Sequence, residues 1–155
     1  MILSEIMASK LKSKIEDNSD IVDISVELDL QGLSSSDYIL HVKLTHRSRD
    51  ILTIYQHSLP WVGWYSILLT AIKTDALGTV IEKSLIIDDP GPVRITIKPG
   101  ETLTGDIPLI GRFPDLLEAL RETDVIIFWS YQLKPVDAPP FQRACGYVVL
   151  PKLSG

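Results

Sequence analysis

Cysteine is almost missing from this chain: Cys145 is the single one among 155 residues, so no intrachain disulfide can form and a disulfide scaffold is excluded. A lone thiol suits a reducing compartment, and a cytoplasmic location is the expectation, with Cys145 read as a buried, inert thiol. Asparagine is as scarce. Asn18 is the only one, and Asn18-Ser19-Asp20 is not a glycosylation acceptor. Basic residues are in deficit, since 15 Lys and Arg against 20 Asp and Glu leave a formal charge of −5. That balance argues against a broad phosphate-neutralising face, and a nucleic-acid partner is not expected. The glycines Gly91, Gly100, Gly105 and Gly111 read as separate turns, none opening a long helix after a strand, so nucleotide chemistry of the phosphate-loop kind is not indicated.

Long apolar runs are also wanting. Residues 51–72 hold no Asp, Glu, Lys or Arg, which is long enough to span a bilayer of about 20 residues. Gln56, His57, Ser58, Pro60 and Gly63 break that stretch, and two strands joined by an irregular loop satisfy its backbone better than a membrane helix does. The first residues show no cationic start followed by an apolar run and a cleavage site, so neither a leader nor a membrane association is expected.

What is present is the composition of one globular domain, 45% apolar and 23% charged. Leu3, Met7, Leu11 and Ile15 recur every fourth residue, which predicts a short amphipathic N-terminal helix joined by a polar linker, together residues 1–20. From residue 21 the period becomes two. Val22, Ile24, Val26, Leu28 and Leu30 alternate with Asp23, Ser25, Glu27 and Asp29, the pattern of a strand with one buried face. A Gly- and Ser-rich turn at Gln31 to Asp37 leads to a second strand in which Tyr38, Leu40, Val42 and Leu44 alternate with Ile39, His41, Lys43 and Thr45. Further strands are predicted at Ile51 to Tyr55, near Tyr65 to Lys73, at Thr79 to Ile87, at Val93 to Lys98 and at Thr102 to Leu109.

Phe113 to Arg121 has the spacing of a short helix, with Pro114 in its first turn. Val125 to Tyr131 is nearly all apolar and reads as a central strand covered on both faces, and Tyr147 to Leu150 as the last strand. About eight or nine short strands with turn signals between them predict an all-β fold, an immunoglobulin-like antiparallel β-sandwich filling 21–155 as a single domain, with one helical insertion near 113–121.

The long alternating strand from Tyr38, its tip Thr45-His46-Arg47-Ser48 and return to Ile54, and the later Lys98-Pro99-Gly100-Glu101 turn resemble bacterial intracellular immunoglobulin-like domains, of which the intracellular proteinase inhibitors are one example. The resemblance covers about two thirds of the chain and implies an immunoglobulin-like fold. Trp61 to Tyr65 and Asp88 to Pro92 have no counterpart in it, and no inhibitory residue carries over.

Leu59-Pro60-Trp61-Val62-Gly63-Trp64-Tyr65 concentrates large rings where Pro and Gly forbid a regular ladder. Exposed, Trp61, Trp64 and Tyr65 would be a hot spot for a partner; packed, they would plug one end of the sandwich. Asp88 and Asp89, in the loop closed by Pro90 and Pro92, are the other candidate contacts, since two adjacent carboxylates fall short of the six to eight oxygens a calcium ion takes. His41 and His46 are an odd number of residues apart, so a strand turns them to opposite sides, and no metal or other cofactor is expected. No catalytic constellation is evident. The expected function is a non-enzymatic protein-binding module, an inhibitor or adaptor that presents loops from a rigid scaffold. The alternatives are a carbohydrate or small-ligand domain using Trp61, Trp64 and Trp129 as stacking platforms, and a self-assembling structural subunit.

Overall fold

The computed structural model describes residues 22–28, 38–89 and 91–154 of the chain, with the side chains of 22–28 left aside. The N-terminal helix and linker of residues 1–20 and the turn at residues 31–37 lie outside the described residues. Those described form nine strands and two short helices: β1 (Val22–Leu28), β2 (Ile39–His46), β3 (Leu52–Tyr55), β4 (Ile67–Lys73), β5 (Val80–Ile81), β6 (Arg94–Ile97), β7 (Thr102–Pro108), α1 (Leu109–Arg112), α2 (Leu116–Glu122), β8 (Val125–Tyr131) and β9 (Ala144–Leu150). The strands assemble as β1-β2-β7, β3-β6 and β5-β4-β8-β9, every pair antiparallel. The described residues are therefore mostly β, apart from these brief helices.

Alternation decides which side of each strand is buried. Leu40, Val42 and Leu44 of β2 turn inward, as do Ile67, Leu69 and Ala71 of β4 and Ile127 and Trp129 of β8. These residues, with Ile54, Ile97 and Ile107, belong to one hydrophobic core shared by all three sheets. Each large aliphatic or aromatic side chain among them contributes about 1.5–3 kcal/mol on leaving water, so the shared core is what holds the three sheets together. The tip of β2 is fixed from a distance: His46 donates its N–H to Glu101 O at 3.0 Å and accepts from Gly100 N–H at 2.8 Å, which joins the Thr45-His46-Arg47-Ser48 tip to the Lys98-Pro99-Gly100-Glu101 turn.

Three expectations change. The helical insertion is longer than its pattern, because α1 precedes α2, whose Leu116, Ala119 and Leu120 are buried at helical spacing; Thr123 ends it in extended conformation. The strand expected over Thr79 to Ile87 pairs with β4 at Val80 and Ile81 alone. Past Ile81 the chain peels away: Ser84 donates its N–H to Arg112 O at 2.8 Å and Lys83 Nζ reaches Leu69 O at 3.4 Å, so helix and side chain take over from the ladder. Strand β8 is central, between β4 and β9, but only one of its faces is covered. Phe128 is 42% exposed on the outer face, where its ring meets that of Tyr147 at 6.1 Å between centroids. An antiparallel sheet can leave one face to water, and here the outward apolar residues hide that alternation in the sequence.

Candidate functional site

The segment from Leu59 to Ser66 folds into a knot rather than an open loop. A 3-10 turn, Gln56–Ser58, leads out of β3, and successive N–H groups bond back: Leu59 to Gln56 O at 3.1 Å, Val62 to Leu59 O at 3.1 Å and Ser66 to Gly63 O at 3.2 Å. The Ser66 hydroxyl also lies 2.7 Å from Leu59 O and 2.8 Å from Gly63 O. Beneath it, the Tyr131 hydroxyl donates to Ser58 O at 2.7 Å, and burial raises that phenol well above its ordinary pKa. Glycine is required inside the knot, since a Cβ on Gly63 would stand 2.2 Å from His57 O.

The three aromatics of this segment do not form one exposed cluster. Trp61 turns in, packs against the core and lies on the backbone of Gly105, which sits within β7 and not in a turn. Trp64 is half-buried beneath Arg112, whose guanidinium carbon stands 4.1 Å from the centre of the indole and whose nitrogen donates to Trp64 O. The Trp64 N–H in turn donates to Asp88 Oδ2 at 2.9 Å, while its ring Nε1 is buried with no hydrogen-bond partner. Tyr65 alone is exposed. Trp129, named with the other two as a stacking platform, is buried in the core.

Arg112 is 6% exposed. Burial pushes its pKa below the ordinary arginine value, and the negative charge of Asp88 pushes it back up, as does Tyr65. The guanidinium stays charged, because arginine does not lose its proton in proteins. The two candidate carboxylates have different surroundings. Asp88 faces the Trp64 amide and Arg112, whereas Asp89 is exposed and makes no hydrogen bond among the described residues.

Between β5 and β6, residues 82–89 and 91–93 run without strand pairing. Tyr65 clamps this loop twice through one hydroxyl, which donates to Ile86 O at 2.6 Å and accepts from Ile86 N–H at 3.2 Å. Ser84 and Asp88 are anchored on either side, to Arg112 O and the Trp64 N–H. Between the anchors Leu85 is 83% exposed and Ile87 98%. Tyr65 and Asp88 also line a cleft of about 280 Å³ together with His57, Ser66, Gln132 and Lys134. His57 is stacked on Tyr55 there, with ring centroids 5.3 Å apart.

Of the expected contact residues, then, Tyr65 and Asp88 meet at this loop, Trp64 supports it from below, Asp89 is exposed at its end, and Trp61 serves the core. Leu85, Ile87, Arg112, His57 and Lys134 carried no motif. The apolar triplet Leu85-Ile86-Ile87 beside Asp-Asp-Pro was the available sign, since such a triplet does not alternate.

The remaining candidates lie elsewhere. His41 Nδ1 stands 2.5 Å from Asp106 Oδ1 on the outer face, while His46 is buried with Nε2 2.6 Å from Asp50 O, so the two do face opposite sides. Among the described residues no group of three or more His, Cys, Asp and Glu comes together, and no helix is long and apolar enough to cross a membrane. Cys145 is exposed, not buried, because it lies opposite Ser130 on the outer face of β9. Compared with known proteins, the chain matches no family model, and no curated protein or solved structure matches it either.

Proposed function

We propose that the protein is a non-enzymatic protein-binding module, an immunoglobulin-like β-sandwich that offers residues 82–93 to a protein partner as an inhibitor or adaptor. The observation that carries this reading is the pairing of exposure with anchoring: Leu85 and Ile87 are 83% and 98% exposed on a backbone that Tyr65, Arg112 and Trp64 hold in place. Exposed aliphatic side chains forfeit about 1.5–3 kcal/mol each unless something covers them. A loop already ordered loses little conformational entropy on binding, so most of that gain reaches the affinity. The sandwich assignment is supported by the antiparallel sheets β1-β2-β7 and β5-β4-β8-β9 closing on one core. A single, exposed thiol suits a cytoplasmic setting.

Within this reading Trp61 and Trp64 are the foundation of the contact and not its surface. Indoles used as sugar platforms must present a face to solvent, and with Trp129 buried and Trp61 on Gly105 the protein-binding reading is favoured over the carbohydrate one. The test compares wild type with a Leu85→Asp/Ile87→Asp variant as bait, once circular dichroism shows that both fold. Expected is a protein retained by wild type and reduced at least tenfold on the variant. Equal retention would overturn the role of the loop, and retention by neither would overturn the binding reading.

A further inference from the structure

The backbone anchors of the exposed loop are two residues apart. Ser84 gives its N–H to Arg112 O at 2.8 Å and Ile86 uses both backbone groups on the Tyr65 hydroxyl at 3.2 and 2.6 Å, while the Asp88 carboxylate, through its side chain, takes the Trp64 N–H at 2.9 Å. A period of two is that of an extended chain, in which the N–H and C=O of successive residues point to opposite edges. With Ser84 and Ile86 facing the body of the protein, Leu85 and Ile87 direct theirs outward. Neither Leu85 nor Ile87 makes a backbone hydrogen bond among the described residues.

The two ends of this edge are acidic, while Arg112 and Lys134 lie on the side of the loop that faces the body of the protein. Glu82 and Asp89 are exposed at its two ends, and Lys83, the one cation nearby in the loop, is turned back with Nζ toward Leu69 O. Proteins usually protect such an edge with lysine or proline, and here the prolines come only after it, at Pro90 and Pro92.

We propose that this edge takes its partner by strand addition: an extended segment of another protein, apolar in its centre and carrying lysine or arginine at its ends, pairs backbone to backbone with Leu85 and Ile87. The inference rests on the protein-binding reading above and names the form its partner takes. Main-chain hydrogen bonds supply the affinity, Leu85 and Ile87 cover the partner's apolar side chains, and Glu82 and Asp89 set the preference for basic flanks.

The test pans a phage-displayed library of random peptides on the full chain, then titrates synthetic copies of the enriched sequence. Expected are peptides with alternating apolar residues and basic ends. N-methylation of one alternate set of their amides should weaken binding at least tenfold and methylation of the other set should leave it within about twofold. The Leu85→Asp/Ile87→Asp variant should lose the peptide, and Asp89→Lys should weaken it for basic-ended peptides alone. No enrichment, or binding indifferent to methylation, would overturn strand addition, and if the variant still lost its captured partner the broader reading would stand without it. A dimer by light scattering that dissociates in the double variant would also overturn the proposal, by making a second copy the occupant.

Discussion

The indole of Trp61 occupies the space in which a side chain at Gly105 would begin: a Cβ built on Gly105 falls 2.0 Å from Trp61 Cγ. Gly105 stands opposite the buried Val42, so the ring is laid onto the inner side of β7. The two residues should behave as one unit. Gly105→Ala is expected to lower stability by about 1–3 kcal/mol or more, because the ring must move out of a packed site. In a Trp61→Ala background the same change should come close to neutral, giving a coupling energy of about 1–3 kcal/mol in urea denaturation. Additive effects would show that the ring does not rest there.

Tyr65→Phe removes one hydroxyl and with it both hydrogen bonds to Ile86. Because Tyr65 is exposed, global stability should fall by no more than about 1 kcal/mol. The local effect should be larger: exchange of the Ile86 amide is expected to quicken at least tenfold while amides of β8 keep their protection, as hydrogen exchange resolved by residue would report.

Arg112→Lys keeps the charge and loses the planar fork. A lysine cannot lie over the Trp64 ring and donate to its carbonyl in the geometry a guanidinium adopts. A loss of about 1–3 kcal/mol is expected, with the unpaired Trp64 carbonyl as its main source. Proteolysis should then cut within residues 82–89, since the same helix end holds Ser84.

Tyr131 links stability to alkaline pH. Burial raises its pKa, so the folded protein keeps the phenolic proton at pH values where the unfolded chain, ionising near about 10, has released it. Its contribution is therefore complete below about pH 10 and declines as pH rises further. Tyr131→Phe should cost about 1 kcal/mol at neutral pH, from the lost bond to Ser58 O, and should flatten the fall in stability above about pH 10. Denaturation midpoints across that range measure both.

Strands such as β2 could be read from the sequence because one face of each is buried, which imprints an alternation that Leu40, Val42 and Leu44 display plainly. The alternation fails where apolar residues also face water. Phe128 makes β8 look covered on both sides, and Leu85 to Ile87 look like the end of a strand, since apolarity does not reveal whether a backbone has a partner. Half of the site was legible for a related reason. Pro60, Gly63 and the clustered rings mark an irregular aromatic segment, and Asp88-Asp89-Pro90 marks a loop, but their meeting is a tertiary fact. Arg112 lies 48 residues from Trp64, and Trp64 lies 24 from Asp88, with no periodic or motif context to connect them.

The distance along the chain between β2 and β7 bears on when the loop of residues 82–89 can take shape. His41 and Asp106, which face each other across those strands, are 65 residues apart, so closing that sheet encloses everything from the β2 tip to β7, the loop included. Such separations make folding slow and all-or-none, because a long closure must precede its reward. The loop's anchors lie on both sides of it, at Tyr65 and Arg112, so the full set is in place only once the chain has folded past β7. During synthesis the outward edge of this loop would thus lack its full set of anchors until most of the chain has emerged, and an incompletely folded molecule would not hold it in place.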